Sequence, residues 1–285
     1  VVVAVFFFSG GFTSEKNLVT DEKVTLQDAE KWAFVKSNVV SNGHYTGDCI
    51  DLKLTNQKSR ATKILVPAGT VFIADNTGEQ NILVTQDIIC LLKPNETKSF
   101  DISGYCCEHN DSAPDDGSTF KTSLHTDEKV KKLVTYMKDK NYSNSVKQDA
   151  IWSVANGSSV SNIYIADESK QKELRKFVCD LTGQTDTWYS TPQNHVITEE
   201  RRIVSETVEV NGMLSCTIDA PMDVSNEVYD AANKLVYKMP EDMTFPMKGT
   251  YDYQFRVKIT GWEKGKYYVL IKGNGKELLK QEFEI

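Results

Sequence analysis

The residues that could do chemistry in this 285-residue chain are few, and most stand far apart. Cys106 and Cys107 are adjacent, and His109 follows two positions later. An imidazole that close could draw the proton from a thiol and leave a nucleophilic thiolate. Neighbours at this spacing also arise by chance, and an inert buried thiol accounts for the pair more simply. Asp111, Asp115 and Asp116 form an acidic run without the alternating register of a calcium loop, so a solvated loop is expected. The histidines at 44, 109, 125 and 195 are not at metal-ligand spacing, and there is no phosphate loop, nucleophile elbow or HExxH. No metal, cofactor or catalytic residue is expected, and the chain does not read as a conventional enzyme. Gln148 stands at the start of a helical stretch, where Ser145-Val146-Lys147-Gln148 has the form of a capping box. In that reading Gln148 returns to the helix start, and Ile151 and Trp152 are ordinary core.

A second reading joins the two places. Tyr105-Cys106-Cys107, followed by Gln148-Asp149-Ala150-Ile151-Trp152, resembles the paired motifs of bacterial thioester domains: an aromatic-Cys step and a Gln-x-Ala-Ile-Trp helix start. The resemblance covers roughly residues 52–156. It implies that a Cys sulfur, from Cys106 or Cys107, and the Gln148 side-chain carbonyl form an internal thioester that captures host amines covalently. It also implies a surface adhesin, because an acyl thioester shielded from water is an electrophile held ready for an amine. This chain departs from the pattern in carrying two adjacent cysteines and a short interval to the glutamine.

Composition narrows the field. The chain is 40% hydrophobic and 26% charged with 7 Pro, as a folded protein is. With 33 basic and 40 acidic residues its net charge is -7, which opposes nucleic-acid binding. Its six cysteines, at 49, 90, 106, 107, 179 and 216, lack paired CxxC spacing. Their even number suits an exported protein, and at least one disulfide involving Cys106 or Cys107 is expected. The pairing is open among about 15 alternatives.

These residues must be positioned by elements of two kinds. From Cys49 to Ile102 short apolar runs alternate with turns at Pro67-Ala68-Gly69, Asp75 to Gly78 and Pro94-Asn95, the spacing of an antiparallel β-sandwich. Helical periodicity follows: Val130, Leu133, Val134 and Met137 behind Thr126 as N-cap, a second helix after Ser145, and a third from Asp167 to Gly183. After a polar linker, the alternation of Tyr251, Tyr253, Phe255, Val257 and Ile259 marks a half-buried strand. Gly273-Asn274-Gly275 marks a type I′ hairpin. The fold class expected is mainly β, two β-sandwich regions with a short three-helix insert, the C-terminal one immunoglobulin-like. The segments are 1–20 as an apolar strand and linker, 21–190 as a sandwich with its helical insert at 125–183, and 198–285 as the second sandwich. The stretch from Lys264 to Ile285 also resembles the sandwiches that end bacterial secreted proteins, including type IX secretion sorting domains, which implies export.

The chain begins with Val1, Val2, Val3, Ala4, Val5, Phe6, Phe7 and Phe8. This is too short to span a membrane and lacks the basic residues that precede a signal core, so no spanning segment is expected. β-branched and aromatic side chains favour a strand, and apolar character on both faces requires cover on both. An internal strand meets that need. So does a donor strand inserted into a neighbouring copy, where seven such side chains could contribute on the order of 10 kcal/mol before ordering costs. The functional expectation is therefore an extracellular or cell-surface subunit of a fibre that polymerises head-to-tail with itself. The alternatives are a thioester adhesin or a carbohydrate-binding module, with host or matrix glycans or proteins as partners and Trp188, Tyr189 and Trp262 as stacking faces.

Overall fold

A computed structural model describes residues 23–124 and 127–285. The strip from Val1 to Phe8, Thr126 and His125 lie outside the described residues.

The described chain is mainly β with a short helical insert. It opens with β1 (Val24–Thr25) and a short helix α1 (Leu26–Lys31), then β2 (Val35–Asn42) and β3 (Thr46–Asn56). There follow β4 (Thr62–Val66), β5 (Thr70–Ala74), β6 (Ile82–Leu83), β7 (Ile88–Leu92), β8 (Thr97–Cys106) and β9 (Asp116–Leu124). Six of these strands close on themselves in the order β2-β3-β8-β6-β5-β9, and β1-β4-β7 form a separate small sheet. Closure removes every open edge from the barrel. Its interior is filled by Ile50, Leu52, Leu54, Phe72, Ile82 and Ile102, all fully buried.

The insert consists of α2 (Glu128–Met137), α3 (Asn144–Asn156) and α4 (Glu168–Thr182). The helix starts differ from expectation in two places. Asp127, not Thr126, caps α2, its carboxylate accepting from the amides of Lys129 and Val130. Ser143, not Ser145, caps α3 and accepts from the Val146 amide. The shift of two residues moves Gln148 out of the capping box. α4 follows expectation, capped by Asp167 and stopped by Gly183 in the left-handed conformation.

β10 (Tyr189–Ser190) leads to the hairpin β11 (Gln193–Ile197) and β12 (Ile203–Thr207). The C-terminal region contains β13 (Glu209–Ile218), β14 (Met222–Asp230), β15 (Leu235–Lys238) and β16 (Met243–Phe245), then β17 (Gly249–Lys258), β18 (Lys266–Gly273) and β19 (Lys276–Glu284). The sheet β10-β13-β17 faces the sheet β15-β14-β18-β19, with β16 beside β14, across Val210, Leu214, Val224, Phe255, Val257, Val269, Ile271 and Phe283. This is the sandwich that the alternating strands require. At its β18–β19 turn Asn274 and Gly275 both take positive φ, 50° and 76°, as a type I′ turn demands.

Candidate functional site

Alternation along the end of β8 decides which cysteine faces where. Ile102 and Cys106 point into the barrel core, while Tyr105 and Cys107 point out into the core shared with the three helices. Gly104 lies between Ile102 and Cys106 on the inward face, and a Cβ there would come within 2.3 Å of Ile82 and 3.4 Å of the Cys49 sulfur. Its missing side chain lets these groups close around Cys106.

The helix α3 runs between the barrel and the other two helices. Val146, Ala150 and Ile151 belong to the helical core, and Trp152 belongs to the barrel core with Cys106. Eight successive residues, Val146 to Ser153, are buried, among them the polar Lys147, Gln148, Asp149 and Ser153. Buried polar groups need partners. Ser153 donates to the Asp149 carbonyl at 2.8 Å, within the helix. The other partners lie outside it. Consecutive residues of β8 hold successive turns of α3. The Tyr105 hydroxyl donates to Asn144 Oδ1 at 2.9 Å. One turn on, the fully buried Gln148 carboxamide meets the Cys106 main chain at both its atoms. Gln148 Nε2 donates to the Cys106 carbonyl at 2.8 Å, and Oε1 accepts from the Cys106 amide at 3.2 Å. This docking replaces the capping role for Gln148 and brings together Cys106 and Gln148, two residues that the sequence motif paired.

Cys107 stands apart. Its thiol is in the helical core, and burial, reinforced by Glu108, pushes it well up. The His109 ring turns instead to Trp152, packing edge-on at 4.7 Å between centroids, so Cys107 and His109 do not form a thiolate site. Burial also pushes the Cys106 thiol well up, with Cys49, Cys107 and Glu108 adding to the effect and Arg201 opposing it.

The expected disulfide is absent: all six cysteines are free thiols. Adjacent strand residues face opposite ways, which separates Cys106 from Cys107; Cys49 and Cys90 share the barrel core with Cys106 as unpaired thiols, and Cys216 lies in the sandwich core. Burial raises Cys49 to about 12 and Cys90 to about 11, which keeps both as unreactive thiols.

Sequence reasoning missed the polar groups around Trp152. Asp149, next to Gln148, is buried and accepts from His195 Nε2 at 3.1 Å. Desolvation holds the Asp149 carboxyl above the ordinary carboxylate value, with His195 and His109 pulling it partly back. His195 Nδ1 lies 2.8 Å from the Ser205 hydroxyl, which in turn lies 3.3 Å from His109 Nε2. The His195 ring packs edge-on to Trp152 at 5.1 Å. Trp152 is 2% exposed, and its Nε1 has no hydrogen-bond partner. No spacing in the sequence signals this cluster, since 46 residues separate Asp149 from His195 and 96 separate His109 from Ser205.

The β11–β12 hairpin delivers His195 and Ser205 as directly paired residues across the two strands. Ile203 sinks into the barrel core, while Val196 and Val204 on the other face are 49% and 43% exposed. The hairpin tip is fastened to the loop before β9. Arg201 pairs with Asp115 at 3.0 Å and donates to the carbonyls of Gly43 and Pro114, and Arg202 donates to the Asn110 carbonyl at 2.5 Å. The acidic residue Asp115 thus serves as a strap.

The rings considered for carbohydrate stacking are engaged elsewhere. Tyr189 is buried in the sandwich core, and Trp188 and Trp262 pack against it, with the Trp188 indole N–H donating to the Glu282 carbonyl at 2.7 Å. Among the described residues no group of three or more His, Cys, Asp or Glu side chains could hold a metal, and no helix is long and apolar enough to cross a membrane. A scan against family models and a search of curated proteins find no match to this chain, so its chemistry is read from the geometry of Cys106, Gln148 and their neighbours.

Proposed function

We propose that this chain is a covalent adhesin of the cell surface or extracellular space, in which Cys106 Sγ and Gln148 Cδ form an internal thioester. The observation that carries the reading is the two-point docking of the buried Gln148 carboxamide on Cys106. A glutamine at the fifth position of a helix has no local reason to be fully buried. Its two bonds hold the carboxamide against the main chain of the residue whose sulfur would attack it, which supports the reading.

The step balances. The Cys106 thiol adds to the Gln148 carboxamide, its proton passes to the departing nitrogen, ammonia leaves, and a neutral thioester remains. Burial favours that product. Hydrolysis would put a carboxylate where desolvation already penalises charge, as the raised Cys106 and Asp149 values indicate. A nucleophilic acceptor entering past the β11–β12 hairpin would take the Gln148 acyl group, and the thiol would return to Cys106. Each molecule reacts once, so the function is attachment, not turnover. The filament reading rests on Val1 to Phe8, outside the described residues, and nothing in the described fold favours it.

Methylamine tests the proposal. The protein should gain one methylamine, and peptide mapping should place it on Gln148. Absence of an adduct on Gln148, or an adduct that persists in Cys106→Ala, contradicts it.

A further inference from the structure

The thioester reading leaves four groups unused: Asp149, His195, Ser205 and His109. They form one continuous chain of hydrogen bonds, with Asp149 to His195 at 3.1 Å, His195 to Ser205 at 2.8 Å and Ser205 to His109 at 3.3 Å. With Asp149 ionised and both imidazoles neutral, one proton assignment satisfies all three bonds. His195 Nε2–H donates to Asp149, the Ser205 hydroxyl donates to His195 Nδ1, and His109 Nε2–H donates to Ser205 Oγ. A hydroxyl held this way is polarised toward loss of its proton, with the buried carboxylate stabilising the imidazolium that results.

Trp152 links this chain to the core that holds Cys106. Asp149 follows Gln148 in α3, and both imidazoles pack edge-on against Trp152, which shares the barrel core with Cys106. An amine exchanges its proton with bulk water and attacks an acyl thioester as the neutral free base, so amine capture depends little on such a device. A hydroxyl is a weak nucleophile until a base takes its proton. Resting on the thioester reading, we infer that the acceptor of this site is an alcohol hydroxyl, as carbohydrates present, and that Asp149, His195 and Ser205 are its proton relay. In the step, the acceptor oxygen bonds to the Gln148 acyl carbon as its proton passes to Ser205 Oγ. Ser205 gives its own proton to His195. The carbon–sulfur bond breaks, and the imidazolium proton goes to the Cys106 sulfur. The products are an ester on Gln148 and a free Cys106 thiol.

The partners of Ser205 set the test. Protein whose intact mass shows the loss of ammonia is incubated with glycerol or with methylamine, and each adduct on Gln148 is quantified by mass spectrometry. Wild type should form both, and the ratio of glycerol ester to methylamine amide should fall by about 100-fold in His195→Gln and in Ser205→Ala. Ser205→Thr, which keeps the hydroxyl on a strand that tolerates β-branching, should restore it. No glycerol ester from wild type that forms the methylamine adduct overturns the inference and leaves the thioester standing, as does an unchanged ratio in both variants. A starting mass without the loss of ammonia overturns both.

Discussion

The two halves of the molecule bury different things. The C-terminal sandwich buries aliphatic and aromatic side chains almost throughout, with Ser190, Asn211 and Asn226 as its buried polar residues, the last accepting from the Tyr253 hydroxyl. Polar burial in the barrel and its helices is wider, from Ser41, Asn56 and Gln80 to Arg175, and Lys147, Gln148, Asp149 and Ser153 lie on one stretch of α3. Burying a polar group without full compensation costs stability, and an apolar residue at each position would pack at lower cost. The sandwich core is organised around apolar packing, and under the proposed function the polar core of its neighbour would hold the reacting groups away from water. The difference teaches where to look for function: in the region whose core is harder to justify by packing.

The sharpest way to break this comparison is to make equal cavities on both sides. Trp152→Ala and Phe255→Ala each remove a fully packed ring, and each should cost about 3–5 kcal/mol in denaturant unfolding. Capture of methylamine should disappear in Trp152→Ala and survive in Phe255→Ala under conditions where both are folded. Equal capture by the two variants would show that the barrel core has no special part in the chemistry.

A smaller effect separates docking from capping. In a Cys106→Ala background, where no thioester forms and Gln148 keeps its nitrogen, Gln148→Ala leaves the main-chain carbonyl at position 106 without its buried donor and should cost about 1–3 kcal/mol. A capping role would have predicted fraying of α3 at its start. Hydrogen exchange should instead show loosening at the end of β8, around Cys106. Loosening confined to residues 144–147 would restore the capping account.

The smallest effect concerns sign. Burial raises the Asp149 carboxyl above its unfolded value. A raised value means that the stability this group contributes is complete below the ordinary carboxylate range and is lost as pH rises through the folded-state value. Above the folded-state value the ionised group therefore costs stability. Asp149→Asn, whose side-chain oxygen can still accept from His195, should melt no lower than wild type at pH 7 and should lose any advantage near pH 3. A lower Tm at pH 7 would mean that the pair with His195 outweighs desolvation.

Much of the fold was legible because its signals are local. The alternation from Tyr251 to Ile259, the Asn274-Gly275 turn and the Asp167-to-Gly183 helix each sit within one element and follow from residue type. The closure of the six barrel strands was not legible, since β2 and β9 pair across residues distant in the chain and their own patterns are mixed: Val35, Val39 and Ser41 are buried in one, and Phe120 alone in the other. The Cys106–Gln148 pairing came from a motif. The cluster of Asp149, His195, Ser205 and His109 could not, because it exists only once β11–β12 lies against α3. The polar stretch from Gln184 to Asn194 reads as a linker, yet its end begins the strand that carries His195.

The central claim is a covalent bond, and intact mass measures it most directly. Freshly purified protein should weigh about 17 Da less than its sequence requires, the mass of the ammonia lost when thiol and carboxamide condense. The deficit should vanish in Cys106→Ala and persist in Cys107→Ala. A wild-type mass equal to the sequence mass would contradict the account, and a deficit that follows Cys107 would place the bond on the wrong sulfur.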